Sequence, residues 1–189
     1  MATHPPFLAG LRIEGRAACV VGSGPDAARR VRDLERGGAQ VRTPGLDWSP
    51  DDFDGCMVVV VCLADWVDAA EAARAAGALV YVPDAPSASD LVMAAIVRRG
   101  DLQVAVSTGG RSPAAARRLM ELVDAWLPEA AEATLDVLAE VRAEMRAARE
   151  ALPDYEVWAA AVDAGLAAAD AADARRAVLA VLGLHGQAS

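Results

Sequence analysis

The chain of 189 residues has no lysine and no asparagine, only two histidines and three cysteines, and an aromatic content of 4%. Each scarcity excludes a chemistry. Without lysine there is no amine for a Schiff base or an amine general base, and all 18 basic groups are permanently charged arginines. His4 and His185 lie near opposite ends of the chain, which argues against a Ser-His-Asp triad. Cys19, Cys56 and Cys62 show no paired spacing, so no Cys/His metal site is expected. Cys19 and Cys62 sit in apolar, strand-like runs, where a buried thiol acts as a small hydrophobe. Long hydrophobic runs are missing too. Met57 to Leu63 falls far short of the roughly 20 residues of a membrane span, and residues 1–8 lack a basic segment followed by an apolar one. A cytoplasmic protein is expected. Positive charge is also short: the net charge is −9. Residues 1–120 carry 13 basic and 14 acidic groups, residues 121–189 carry 5 and 13, and nucleic-acid binding would leave a basic footprint instead.

What is present is apolar residue in quantity, 54% of the chain, enough for a real core. The first half alternates strand and helix signals. Arg16 to Val21 reads as a buried strand, Pro25 to Arg36 as a helix closed by Gly37-Gly38, and Gln40 to Thr43 as a second strand. Met57 to Leu63, nearly all β-branched or apolar, suits a central parallel strand covered on both faces. Trp66 to Ala76 reads as helix and Leu79 to Val82 as strand. Repeated units of this kind predict an α/β fold, a Rossmann-like, mostly parallel sheet flanked by helices. Ala95 to Arg98 and Leu102 to Ser107 then flank Arg99-Gly100-Asp101 and predict a β-hairpin. Beyond Ser112-Pro113, a helix-start signal, the chain reads as alanine-rich helices. Leu135, Leu138, Val141, Met145, Ala148 and Leu152 form an apolar seam, and Pro153-Asp154 breaks and recaps the helix. The expected domains are 1–111, dinucleotide-binding, and 112–189, helical.

Three segments could carry chemistry. Gly22-Ser23-Gly24-Pro25-Asp26-Ala27 has the form G-x-G-x-x-A between a strand and a helix. The first glycine suits a tight turn, the second lets backbone approach a pyrophosphate, and Ala27 permits close helix packing. The helix start offers free N–H groups to the phosphates. No acid ends the second strand, where Val41-Arg42-Thr43-Pro44 stands; Arg42 would suit a 2′-phosphate or a solvated edge equally. Asp84 follows a strand's carboxyl end, as a ligand-crevice residue or as a turn-forming aspartate before Ala-Pro. Ser107-Thr108-Gly109-Gly110-Arg111-Ser112-Pro113 combines hydroxyls, flexible backbone, an arginine and a helix start, and reads as an anion site or a linker.

Together these segments, from about Leu11 to Pro128, resemble the precorrin-2 dehydrogenase/sirohydrochlorin ferrochelatase family. The resemblance is carried by Leu11 to Arg16 leading into the glycine turn, by Val82-Pro83-Asp84-Ala85-Pro86, by Val97 to Leu102, and above all by Ala105 to Pro113. It implies oxidation of precorrin-2 to sirohydrochlorin with NAD as hydride acceptor, followed in many members by iron insertion. The family's essential aspartate falls on Asp84, as general base. The implied cofactor residues are Gly22, Ser23, Gly24, Pro25, Asp26, Thr43, Leu63 and Asp65. The implied residues for the polyanionic tetrapyrrole are Ser107, Thr108, Gly109, Gly110, Arg111, Ser112 and Arg117, within a cluster that includes Arg98, Arg99 and Arg118. No protein-bound metal is implied. The helical remainder corresponds to the family's dimerisation region, so a homodimer is expected. This chain departs from the family in carrying Leu63 after the third strand, Tyr81 for an asparagine, Pro83 for a valine, Leu91 for a phenylalanine and Ala94 for a proline. Two other readings stay open: a dehydrogenase of a related tetrapyrrole, and a non-catalytic dinucleotide- or tetrapyrrole-binding dimer.

Overall fold

A computed structural model describes residues 7–83 and 85–184. The order is β1 (Ala17–Gly22), α1 (Pro25–Arg36), β2 (Gln40–Gly45), a 3₁₀ turn at Pro50–Phe53, β3 (Cys56–Cys62), α2 (Val67–Ala75) and β4 (Leu79–Tyr81). The four strands pair in parallel in the order β2-β1-β3-β4. Side chains alternate across this sheet. Ala18, Val20, Val58 and Val60 pack with Ala27 and Leu34 of α1 on one face. Cys19, Val21, Val59, Val61 and Val80 pack with Phe53 and with Ala69, Ala70 and Ala73 of α2 on the other. Both faces are covered, which is why the strands read as unbroken apolar runs rather than as alternating ones.

The strand order has a consequence for ligands. From β1 the chain moves to β2 on one side, then returns to place β3 on the other. The order therefore reverses between β1 and β3, and in open α/β sheets the crevice outside the carboxyl ends of two such strands is where ligands bind. β2 runs beyond the expected end at Thr43. Cys19 lies opposite Arg42 but Val21 opposite Gly45, so β2 carries one residue more than β1 across this step. Pro44 lacks an N–H, and an edge strand with a bulge is a place where a sheet accepts that loss.

The described chain divides into two compact units. The first runs to Met93 and includes Gly109–Ser112; the second takes Ala94–Thr108 and the chain from Pro113. The division differs from the expected boundary at 111/112, because the hairpin groups with the helices. That hairpin, β5 (Ala95–Arg99) and β6 (Leu102–Val106), is antiparallel with Arg99 opposite Leu102. Its Val97, Leu102 and Val104 pack with Met120, Val123, Leu127, Ala131 and Leu166, and this apolar contact accounts for the grouping. The helices are α3 (Pro113–Trp126), α4 (Ala131–Ala147), α5 (Tyr155–Leu166) and α6 (Ala171–Val181).

The apolar seam expected to continue to Leu152 stops earlier. α4 ends at Ala147, Arg149 takes a left-handed conformation (φ 57°), and the Glu150 N–H donates to the Met145 carbonyl at 2.9 Å. This six-to-one bond caps the helix and reverses the chain before Pro153. Ala148 and Leu152 are left exposed. The working seam of Val137, Leu138, Val141 and Met145 packs against Ala161, Val178 and Leu179 within the unit. It is α3 that buries no residue: Leu119, Leu122 and Trp126 are 48%, 50% and 71% exposed on it. No helix among the described residues is long and apolar enough to cross a membrane.

Candidate functional site

The glycine turn sits at the reversal point of the sheet. Gly22 ends β1 opposite Cys62, the last residue of β3. Its φ is +110°, and a methyl carbon there would stand 2.2 Å from the Cys62 carbonyl oxygen. Gly22 is therefore demanded by the packing of β1 on β3. Gly24 differs. It occupies the N-cap of α1 at φ +93°, and a methyl carbon built on it meets no atom within 4 Å. Its backbone opens on free space, with Ser23 and Pro25 exposed beside it. No side chain caps α1, so the first-turn N–H groups have no side-chain acceptor, and the helix dipole adds partial positive charge there. Asp26 in this first turn is held by Arg29 at 2.5 Å. Arg29 draws the Asp26 carboxylate into a local ion pair beside the helix start. Ala27 is buried against the sheet, as the G-x-G-x-x-A pattern requires.

Along the same edge, Leu63 is half-buried just past β3, Asp65 is exposed in the following bend, and Thr43 is exposed in β2. Arg42 is held by backbone carbonyls. Its guanidinium donates to the carbonyls of Asp52 and Asp54 at 3.0 and 2.9 Å, tying β2 to the loop before β3. Asp84 lies outside the described residues, as do His4 and His185, but both flanks of Asp84 are described. Gly110 of the Ser-Thr-Gly-Gly-Arg-Ser string lies beside Pro86, two residues after Asp84: a methyl carbon on Gly110 would stand 3.7 Å from the Pro86 Cβ. Gly109 and Gly110 take successive positive φ values of 62° and 78°, Arg111 is exposed and Ser112 is half-buried. Ser107 and Thr108, in the second unit, are half-buried just after β6.

The arginine cluster is largely paired. Arg117 and Arg118 both reach Glu121, at 3.4 and 3.1 Å, and Arg99 pairs with Asp124 at 2.8 Å. Arg98 and Arg111 are exposed. Arg30 is singled out by no sequence motif. It is buried in α1, donating to the Tyr81 hydroxyl at 3.1 Å and to the Met93 sulfur at 3.3 Å, with its guanidinium carbon 4.8 Å from the Tyr81 ring centre. Its Nε has no partner among the described residues. Burial pushes the Tyr81 phenol above its ordinary pKa, and Arg30 opposes that rise. Tyr81 and Leu91 pack on the same core cluster. The larger side chain in place of the family's asparagine thus accompanies a smaller one in place of its phenylalanine.

Two of the three thiols are held toward their protonated form by burial. Burial, reinforced by Cys56 and Asp52 and opposed by Arg42, pushes Cys19 up from 9.0 to about 12. Cys56 is raised, again chiefly by burial, with Arg42 opposing. The thiolate is the nucleophile and the metal ligand, so neither residue is suited to either task. No group of three or more His, Cys, Asp or Glu side chains that could hold a metal ion occurs among the described residues.

Comparison with known proteins agrees with this arrangement. Residues 99–122 match the family model described as "Sirohaem biosynthesis protein central". The chain is 33% identical over 168 residues to a siroheme synthase of Pseudomonas aeruginosa (strain LESB58), covering 76% of this chain and 35% of that protein. It is 32% identical over 181 residues to siroheme synthase 1 of Halorhodospira halophila (strain DSM 244 / SL1), covering 82% and 36%. The chain thus spans about a third of the length of these curated relatives. In fold it is similar to a solved structure described as "SirC, precorrin-2 dehydrogenase", with a TM-score of 0.68 and 19% identity, covering 94% of this chain and all of that one. A glycine turn at the sheet's reversal point, the Ser-Thr-Gly-Gly-Arg-Ser-Pro string and these matches agree: over about a third of their length the siroheme synthases are similar to this chain, and its fold is that of the solved precorrin-2 dehydrogenase.

Proposed function

We propose that the protein oxidises precorrin-2 to sirohydrochlorin in siroheme biosynthesis, with NAD as the hydride acceptor, working in the cytoplasm as a homodimer. The observation that carries this reading is the open helix start at Gly24, set at the carboxyl ends of β1 and β3. A dinucleotide pyrophosphate fits there on three grounds: free space over Gly24, first-turn N–H groups without side-chain acceptors, and Asp26 drawn off by Arg29. Gly22, Ser23, Gly24, Pro25 and Asp26 would hold the pyrophosphate, with Thr43, Leu63 and Asp65 beside the rest of the cofactor. Bound NAD supplies the two-electron acceptor. The engagement of Arg42 with backbone carbonyls favours NAD over its 2′-phosphorylated form.

The chain's own residues supply the proton chemistry and the binding. Asp84 takes a proton from the macrocycle as hydride leaves the neighbouring carbon. A carboxylate suits this task because its basic oxygens need only a short reach. Ser107, Thr108, Gly109, Gly110, Arg111 and Ser112 receive the substrate's carboxylates through hydroxyl, backbone and guanidinium donors. Arg117, although bound to Glu121, adds local positive charge in a chain of net charge −9. The test is anaerobic incubation of purified protein with precorrin-2 and NAD, followed spectroscopically. Appearance of sirohydrochlorin with matching NADH supports the reading, and its absence refutes it. Adding ferrous iron to the same reaction reads out chelation: siroheme formed faster than in a protein-free control assigns that activity as well.

A further inference from the structure

β4 is a short edge strand, and the segment leaving it carries Asp84. Three side chains unrelated to the cofactor turn hold this segment. Asp90 takes the place of a missing neighbouring strand: its N–H donates to the Val80 carbonyl at 2.8 Å, and its Oδ2 accepts the Val80 N–H at 2.9 Å. Arg74 of α2 grips both Asp90 oxygens through Nε at 3.1 Å and also donates to the Ala88 carbonyl. Ser89 does the closest work. Its Oγ accepts the Val82 N–H at 2.9 Å and lies within donating distance of the carbonyls of Val82 at 3.1 Å and Ala85 at 3.2 Å. The Ala85 N–H also donates to the Val82 carbonyl at 3.2 Å. One hydroxyl therefore binds the backbone two residues before Asp84 and one residue after it.

We propose that Ser89 is a positioning residue: its hydroxyl fastens the backbone at Val82 and at Ala85, on both sides of Asp84, and proton abstraction by Asp84 depends on that anchorage. The proposal rests on the reading of Asp84 as the general base. Its physical basis is that Val82 is buried, so its N–H finds no water to replace a lost acceptor. With Ser89 gone, the segment can relieve that orphan only by moving. Proton abstraction is sensitive to such movement, since misplacement by about 1 Å costs on the order of a hundredfold. The Ser89 hydroxyl bonds to the backbone of Val82 and Ala85, so cofactor affinity at the glycine turn is expected to be independent of it.

The experiment compares Ser89→Ala, Ser89→Cys and Ser89→Thr with wild type in the full chain. In Ser89→Ala, kcat for precorrin-2 oxidation falls between roughly tenfold and a hundredfold, with KM and NAD affinity within twofold of wild type. Amide hydrogen exchange rises at least tenfold in peptides covering 80–90 and stays unchanged in peptides covering the glycine turn. Ser89→Cys, close in shape but a poor hydrogen-bonder, behaves like the alanine variant. Ser89→Thr keeps the hydroxyl and restores both readouts. A wild-type kcat or wild-type exchange in Ser89→Ala overturns the proposal. So does a loss shared by NAD affinity and not rescued by threonine, which marks general damage. If wild type itself fails to oxidise precorrin-2, the dehydrogenase reading falls on that result alone. Hydrogen exchange then decides whether Ser89 holds the segment: local loosening sustains that role, and unchanged protection ends it.

Discussion

The two glycines of the turn are chemically identical and structurally opposite, and one pair of substitutions separates them. Gly22→Ala places a methyl carbon 2.2 Å from the Cys62 carbonyl oxygen, well inside contact distance, at a φ of +110°. The backbone conformation costs an alanine about 1–3 kcal/mol. Overpacking between β1 and β3, both centrally placed in the sheet, costs about 1–3 kcal/mol more. The sum, roughly 2–6 kcal/mol, is a large part of a typical stability of 5–15 kcal/mol. At this chain length each kcal/mol moves the melting temperature by about 2–4 °C, so a drop of roughly 5–20 °C is expected. Gly24→Ala carries the conformational cost alone, because the added carbon meets nothing within 4 Å. It melts only a few degrees low, yet fills space a pyrophosphate needs and weakens NAD at least tenfold, about 1.4 kcal/mol. Thermal unfolding by circular dichroism and calorimetric titration with NAD on both variants provide the readouts. Wild-type melting in Gly22→Ala would refute the packing argument, and wild-type NAD affinity in folded Gly24→Ala would remove the turn from the cofactor site.

Asp84→Asn keeps shape but not basicity: single-turnover oxidation should slow by about 10²–10⁴-fold while NAD affinity holds, and a wild-type rate would end the catalytic assignment. Cys19 binds its proton more tightly folded than unfolded, so the stability it contributes is complete below pH 9.0 and lost as pH rises toward about 12. Urea unfolding at about pH 8 and about pH 10.5 should show Cys19→Ala losing roughly 2 kcal/mol less than wild type over that interval; parallel losses would count against the buried thiol. The homodimer should depend on the exposed face of α3, so Trp126→Glu with Leu122→Glu should sediment as a monomer where wild type sediments as a dimer at micromolar concentration. A wild-type monomer would contradict the dimer itself.

The buried strand from Arg16 to Val21 was legible because a short apolar run ending at glycines is a local signal. So was α1, whose Pro25 start and Arg36 end follow from a proline that suits a first helical turn and the two glycines that close it. The glycine turn and the helix start at Pro113 were legible for similar reasons. The strap around Asp84 was not. Ser89 and Asp90 look like any small polar pair in a loop, and their meaning depends on an unpaired edge at Val80 and a buried N–H at Val82. Arg42 read as a choice between a phosphate ligand and a solvated edge; the carbonyls of Asp52 and Asp54, ten and twelve residues on, resolved it as a structural tie.

By itself, then, the sequence determined the succession of strands and helices, the glycine turn and the family resemblance, because these reside in short-range pattern and composition. Only the tertiary structure decided that the sheet order reverses between β1 and β3, that the hairpin groups with the helices, and that the α4 seam packs within its own unit. It also decided which buried backbone groups need a side chain to satisfy them. Those outcomes turn on contacts between residues distant along the chain, where the gain from burying apolar surface and pairing polar groups is set by what lies opposite, and no local period records it.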